Sequence, residues 1–297
     1  MNAPLTPAKT QPHSVTTHPA SGAKVKQSRP ALPPPPAKPQ AMLPTPDTSH
    51  VPYSRVYEPA EDSFLLLDTL SAASETAFLA SRFSSPNNET PPPLVLEVGP
   101  GSGVVLAFLT AHALAIFGTR GTLTLGVDVN RFACAATGVT AGKAVGEAPA
   151  TAGNFLSAVQ GDLVGPVRRR AVDVLVFNPP YVPTEQLPEA PLGIAEGSKT
   201  TFEEDSYLLA LSYAGGRDGM ETTDRLIAAL PETLSERGCA YLLLCAQNRP
   251  EEVKARIREF GPQWMAETVG TSGKQAGWEK LQIVRIWREL ALGGTVG

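Results

Sequence analysis

Leu94-Val95-Leu96-Glu97-Val98-Gly99-Pro100-Gly101-Ser102-Gly103-Val104-Val105-Leu106 is the stretch that decides the fold. A short apolar run meets glycines at alternate positions, and an apolar run then resumes and continues to about Phe117. This reads as a buried strand, a sharp turn and a helix, because glycine lets the backbone bend tightly and come close to a ligand. Downstream the alternation repeats. Thr122 to Val127, Phe155 to Gln160 and Val172 to Phe177 read as strands, with a helix from about Asn130 between the first two. Leu226 to Leu234 and Glu251 to Phe260 read as helices, and Ala240 to Cys245 and Leu281 to Trp287 as further strands. Continuous apolar strands separated by helices predict an α/β, doubly wound domain whose mostly parallel sheet is covered on both faces. Upstream, Glu58-Pro59-Ala60-Glu61-Asp62-Ser63 leads into the apolar Phe64 to Leu70, a helix whose first-turn acids suit its dipole.

The chain divides in composition near Tyr53. Of its 29 prolines, 13 fall in residues 1–52, a stretch without Phe, Trp or Tyr. Such a segment cannot bury a core, so residues 1–52 are expected to be a disordered Pro-rich tail and residues 53–297 a single domain. With one Arg and no amphipathic face, the tail is a poor mitochondrial transit peptide and a better flexible extension. It carries Lys9, Lys24, Lys26, Arg29 and Lys38 against Asp47 alone, while the whole chain is −4, so the domain is near −8. A domain that acidic makes duplex nucleic acid a disfavoured substrate.

Cys134, Cys239 and Cys245 have no metal-ligand spacing and no secretory leader ahead of them, so neither a disulfide framework nor a zinc site is expected. His13, His18 and His50 lie in the expected tail, which leaves His112 as the domain's one imidazole, in an apolar helical run that suits a structural role. No apolar run approaches the length of a membrane span.

In doubly wound sheets, ligands bind beyond the carboxyl ends of the strands, and four successive strands here supply chemistry there. The first ends in Glu97 and the turn Gly99-Pro100-Gly101-Ser102-Gly103. After the second stands Asp128, placed to accept hydrogen bonds from ribose hydroxyls, and after the third Asp162-Leu163, placed to frame an adenine. A nicotinamide dinucleotide would also use a glycine turn and a later acid, so these alone leave two cofactor classes open. The fourth strand runs into Asn178-Pro179-Pro180-Tyr181, whose prolines fix φ and free their carbonyls from local donors. Asn178 and the Pro179 carbonyl could grip a planar NH2 group, and Tyr181 could stack on its face.

Together these residues resemble the S-adenosylmethionine-dependent class I methyltransferases that act on planar nitrogens. A narrower resemblance is to the HemK-like eukaryotic and archaeal enzymes that methylate the glutamine of the Gly-Gly-Gln motif in class-1 release factors. It rests on Val56 to Asp68, Leu96 to Val105, Leu175 to Val182 and Ala214-Gly215-Gly216-Arg217-Asp218-Gly219, and spans about Tyr53 to Trp287. It implies a Rossmann-like, mostly parallel seven-stranded sheet. It also implies a cofactor site for S-adenosylmethionine from Tyr57, Ser63, Glu97, Gly99, Gly101, Ser102, Gly103, Asp128, Asp162, Leu163 and Asn178. The implied catalytic corner is Asn178, Pro179, Pro180 and Tyr181, with no metal.

The same resemblance implies protein-glutamine N5-methylation, a release factor as substrate, and a heterodimer with a small zinc-binding activator that adds a strand beside Phe155-Leu156. A cytoplasmic location, or a nuclear one in addition, follows from that substrate. Two alternatives share the corner: methylation of an exocyclic amine in RNA or DNA, and methylation of a protein lysine. The chain departs from the family pattern in residues 185–206, which are expanded and carry Glu189, Glu196, Glu203, Glu204 and Asp205 beside the expected substrate mouth.

Overall fold

A computed structural model describes residues 42–84, 90–189, 201–273 and 280–289. The greater part of the Pro-rich segment, and Glu196 with the middle of the acidic expansion, lie outside the described residues.

Seven strands form one sheet: β1 (Leu94–Val98), β2 (Leu123–Asp128), β3 (Asn154–Gln160), β4 (Val172–Phe177), β5 (Leu234–Cys245), β6 (Trp264–Thr271) and β7 (Leu281–Arg288). Their spatial order is β3-β2-β1-β4-β5-β7-β6. The pairs among β1 to β5 are parallel, and β7 alone runs against its neighbours. The helices are α1 (Glu61–Ser71), α2 (Ala73–Phe83), α3 (Val104–Ala111), α4 (Ala113–Phe117), α5 (Arg131–Glu147), α6 (Phe202–Tyr213), α7 (Glu221–Thr233) and α8 (Pro250–Arg258). None of the described helices is long and apolar enough to cross a membrane.

The period-two alternation of the strands sends their side chains into two cores. Val95, Val174, Val176, Tyr241 and Leu243 pack with α1 to α4 on one face. Leu96, Val98, Leu175, Phe177 and Leu242 pack with α7 and α8 on the other. β4 is buried along its whole length, which is why its residues are apolar but for Asp173, whose carboxylate is held by Ser235 and Arg237. On the first face a charged clamp ties α2 to the sheet. Arg285 of β7 donates from Nη1 to both carboxylate oxygens of buried Glu75 at 2.8 Å, and Tyr241 Oη donates to Glu75 Oε2 at 2.8 Å. The guanidinium stacks 3.9 Å over the ring of Phe78.

The structure departs from the sequence reading in four places. The helix expected to reach Phe117 breaks at His112, which caps α3 and opens α4; its Nε2 lies 2.8 Å from the Pro44 carbonyl and its ring stacks edge-on against Phe108. The expected end of the tail at residue 52 is too late, because residues 43–52 already pack on the domain. Tyr53 Oη donates to the Thr48 carbonyl at 2.8 Å, and Val51 is buried against Ala133 and Ala136 of α5. His50 is therefore a second imidazole of the folded part, 3.3 Å from Thr140 Oγ1. Proline content dominated that reading, whereas a turn stapled to α5 decides the fold there. Third, α2 and β6 escape the apolar-run reading, since α2 buries only Glu75, Leu79 and Phe83, and β6, at the sheet edge, carries Glu267 and Gly270. Fourth, the described end of the acidic expansion is helical: Thr201 and Glu204 form a reciprocal cap that starts α6.

Candidate active site

The strand order reverses between β1 and β4, the point where doubly wound sheets open a crevice. Val98 lies directly beside Phe177 there, so the glycine turn after β1 and the corner after β4 meet. A cavity of about 240 Å³ opens at this place. Of the residues expected from sequence, Tyr57, Ser63, Glu97, Gly99, Gly101, Ser102, Asp128, Asp162, Leu163, Asn178 and Pro180 line it.

Three expected residues do not line it. Gly103 is needed for packing: a Cβ there would lie 2.6 Å from Thr137 Cα of α5, and its φ is +79°. Pro179 is buried within the corner. The Tyr181 side chain packs against the core on the α1 to α4 face, and its carbonyl accepts from Asn248 Nδ2 at 3.2 Å. The stacking surface expected of Tyr181 is thus turned into the fold.

The glycine turn is held from behind. Thr140 Oγ1 donates to the Ser102 carbonyl at 2.6 Å and Thr137 Oγ1 to the Gly101 carbonyl at 3.3 Å. Gly101 has φ +56°, and a Cβ there would meet nothing within 4 Å, so this position faces open space. The other rim belongs to the segment entering α1, where Tyr57 Oη donates to Asp62 Oδ2 at 3.0 Å and Ser63 Oγ to Asp62 Oδ1 at 3.1 Å. The first-turn acid thereby fixes both residues at the cavity.

The electrostatics of the floor call for a ligand that donates hydrogen bonds. Buried Asp128 accepts from the N–H of Asn130 at 2.8 Å and of Gly101 at 3.1 Å. Burial nevertheless pushes its carboxyl up to about 6, those two N–H groups opposing the shift. Glu97 is pushed well above the usual carboxylate range by burial, with the Leu106 N–H opposing and nearby Asp128 adding to it. Its Oε2 has no hydrogen-bond partner among the described residues, and neither has Asn178 Oδ1. Buried acceptors without donors are costly, so these two, beside a buried carboxylate at Asp128, fit a ligand bringing hydroxyl, ammonium and amide N–H groups. A nucleoside bearing an amino acid has these donors, and the open Gly101 backbone lets it lie close.

Several lining residues were not found from sequence. Arg225 of α7 pairs with Asp162, which turns the expected adenine acid into half of an exposed ion pair at the rim. Leu187, Pro188, Leu208 and Leu211 complete the wall. No local signal marks an arginine that meets an acid 63 residues away, whereas the three-residue spacing of Leu208 and Leu211 is visible once a helix is drawn there.

No family model matches the chain. It is 39% identical over 250 residues to methyltransferase HEMK2 of Mus musculus, covering 82% of this chain and 96% of that one. It is 32% identical over 261 residues to the eRF1 methyltransferase catalytic subunit mtq2 of Schizosaccharomyces pombe, covering 86% and 99%. It is 29% identical over 237 residues to a putative protein N5-glutamine methyltransferase of Methanocaldococcus jannaschii, covering 80% and 93%. The cofactor of such an enzyme is S-adenosylmethionine, whose ribose hydroxyls and methionine ammonium suit the buried carboxyl of Asp128 and the unpartnered Oε2 of Glu97. With its HemK-like motifs gathered at the switch point of a seven-stranded sheet and this similarity running nearly end to end through its relatives, the chain belongs to the HemK-like family of S-adenosylmethionine-dependent methyltransferases represented by HEMK2 and mtq2.

Proposed function

We propose that this enzyme methylates the side-chain amide nitrogen of the glutamine in the Gly-Gly-Gln motif of a class-1 release factor. The observation that carries this is the buried, unpartnered Oδ1 of Asn178 at the cavity wall, an acceptor that suits a primary amide N–H. Bound S-adenosylmethionine supplies an electrophilic methyl group on its sulfonium. Glu97 and Asp128 would hold its ammonium and ribose, and the turn from Gly99 to Ser102 would give it room to lie close to the backbone.

An amide nitrogen is a weak nucleophile because its lone pair is delocalised into the carbonyl. Asn178 Oδ1 accepts one amide N–H and so orients the nitrogen toward the methyl carbon. A bond that strengthens as positive charge grows on nitrogen favours the transition state over the ground state. Fixing the approach supplies much of the remaining acceleration. After transfer the now acidic N–H gives its proton to water at the cavity mouth, so the corner needs no strong base; His112 is spent on the Pro44 carbonyl.

The reading includes a small zinc-binding activator subunit on the edge strand β3. In its favour, β3 has one neighbour in the sheet and exposes Leu156 to 52%, the kind of apolar edge a partner strand covers. The mtq2 protein carries the words catalytic subunit in its name. A cytoplasmic location, with a nuclear one in addition, accords with a translation factor as substrate.

The test is transfer of labelled methyl from S-adenosylmethionine to a purified class-1 release factor, with the activator co-expressed. Label on the intact factor and none on a factor whose motif glutamine is replaced is the expected result. Equal label on both, or label on RNA or on lysine alone, would overturn the substrate assignment.

A further inference from the structure

Arg55 lies in the segment that leads into α1 and makes contacts in two directions. Its main-chain carbonyl accepts from Asn130 Nδ2 at 2.7 Å, and the Asn130 N–H donates to Asp128 Oδ1 at 2.8 Å, so Arg55 braces the floor of the cofactor site. Its guanidinium lies 4.6 Å over the ring of Phe132, in the first turn of α5. From there Nε reaches Asp205 Oδ1 at 3.3 Å and Nη2 reaches Oδ2 at 3.4 Å, across a sequence separation of 150 residues.

Asp205 stands in the first turn of α6. Positions 205, 208, 211 and 212 recur at helical spacing and share a face. Leu208, Leu211 and Ser212 of that face line the cavity. Of the residues of α6 only Glu204 is buried, and it serves the helix's own cap. The helix therefore has little packing to hold its cavity face in place, and the ion pair with Arg55 is a fixed point at its leading end.

We propose that Arg55 is a positioning residue that joins the cofactor floor to the substrate wall: its carbonyl fixes Asn130 beneath Asp128, and its guanidinium seats α6 through Asp205. The proposal rests on the reading that the protein substrate enters beside α6 and Asn178. Loss of the ion pair frees the wall while the carbonyl still braces the floor. The effect falls on the protein substrate and spares the cofactor.

The experiment uses the full chain with its activator and compares Arg55→Ala, Asp205→Ala, the double variant, and the exchanged pair Arg55→Asp with Asp205→Arg. Three quantities are read: the dissociation constant for S-adenosylmethionine, kcat and KM for the release factor, and hydrogen exchange of the amides of residues 202–213. A pair this shielded, with 22% and 21% of its side chains exposed, is expected to raise KM about fivefold when broken. Expected alongside are kcat and cofactor affinity within about twofold of wild type and faster exchange in α6. The double variant is expected to be no worse than either single one, and the exchanged pair to recover most of the loss, as for two groups acting as a unit.

Unchanged α6 exchange in both single variants, or losses that add in the double variant, would overturn the proposal. Should wild type transfer no methyl to the release factor, the substrate assignment fails, and the exchange data on the same four variants still decide the role of Arg55.

Discussion

Burial of Asp128 predicts that cofactor binding depends on pH, with a definite sign and an approximate size. Its carboxyl is buried and pushed up to about 6, with burial outweighing the N–H groups of Gly101 and Asn130. A folded-state value above the unfolded one means the native protein binds more protons, so Asp128 contributes stability that is present below about pH 4 and is lost as pH rises through about 6. At roughly 1.4 kcal/mol for each unit, a shift of about two units sets a loss on the order of 3 kcal/mol. With ribose hydroxyls donating to the carboxylate, as the proposed site requires, binding would select the ionised form and recover part of that cost. Affinity for S-adenosylmethionine is then flat above about pH 7 and falls through pH 6. The ionised fraction drops from about nine-tenths at pH 7 to about one-tenth at pH 5, a tenfold loss in affinity. Isothermal titration at pH 5 and pH 7, with wild type and Asp128→Asn, measures it. Wild type should lose about tenfold and the variant, weaker throughout, should lose little. Equal wild-type affinities at the two values, or an undiminished slope in Asp128→Asn, would refute the assignment of Asp128 to the ribose.

The remaining expectations concern packing and the edge strand. Gly103→Ala puts a Cβ 2.6 Å from the Thr137 backbone at a φ of +79°, and should cost on the order of 3 kcal/mol in urea unfolding; an unfolding midpoint within error of wild type would contradict the tight α3 to α5 contact. Arg285→Met leaves Glu75 charged and buried with only Tyr241 as donor, a loss of roughly 3–5 kcal/mol, while adding Glu75→Gln should recover much of it. If the second change recovers nothing, the clamp is not the source. Leu156→Lys on β3 should leave the unfolding midpoint unchanged and reduce co-purification of the activator subunit; undiminished co-purification would exclude this edge as its docking strand.

The fold was legible where burial was complete. β1 and β4 lie inside the sheet with both faces covered, so apart from Glu97 and Asp173 their residues are apolar and need no tertiary knowledge to recognise. β6 was illegible for the converse reason: as an edge strand carrying Glu267 and Gly270 it shows neither a continuous nor a clean alternating pattern. The acceptors at the strand ends could be named because Glu97, Asp128 and Asn178 follow directly from strand positions. That Asn178 Oδ1 would be left without a donor, that Arg225 would take Asp162, and that Tyr181 would turn into the core are properties of packing between distant segments. The segment from Leu43 to Pro52 shows the same limit. Its prolines suggested a chain without a core, yet a turn closed by Tyr53 and seated on α5 gives it one to join.

The central claim is that the unpaired oxygen of Asn178 orients the substrate amide. Its most direct test is single-turnover methyl transfer to the release factor by Asn178→Ala, with cofactor affinity measured on the same preparation. Removal of one such acceptor should lower the transfer rate by about a hundredfold or more while cofactor affinity moves by less than about threefold. A transfer rate close to wild type, or a loss accounted for wholly by weaker cofactor binding, would contradict the account.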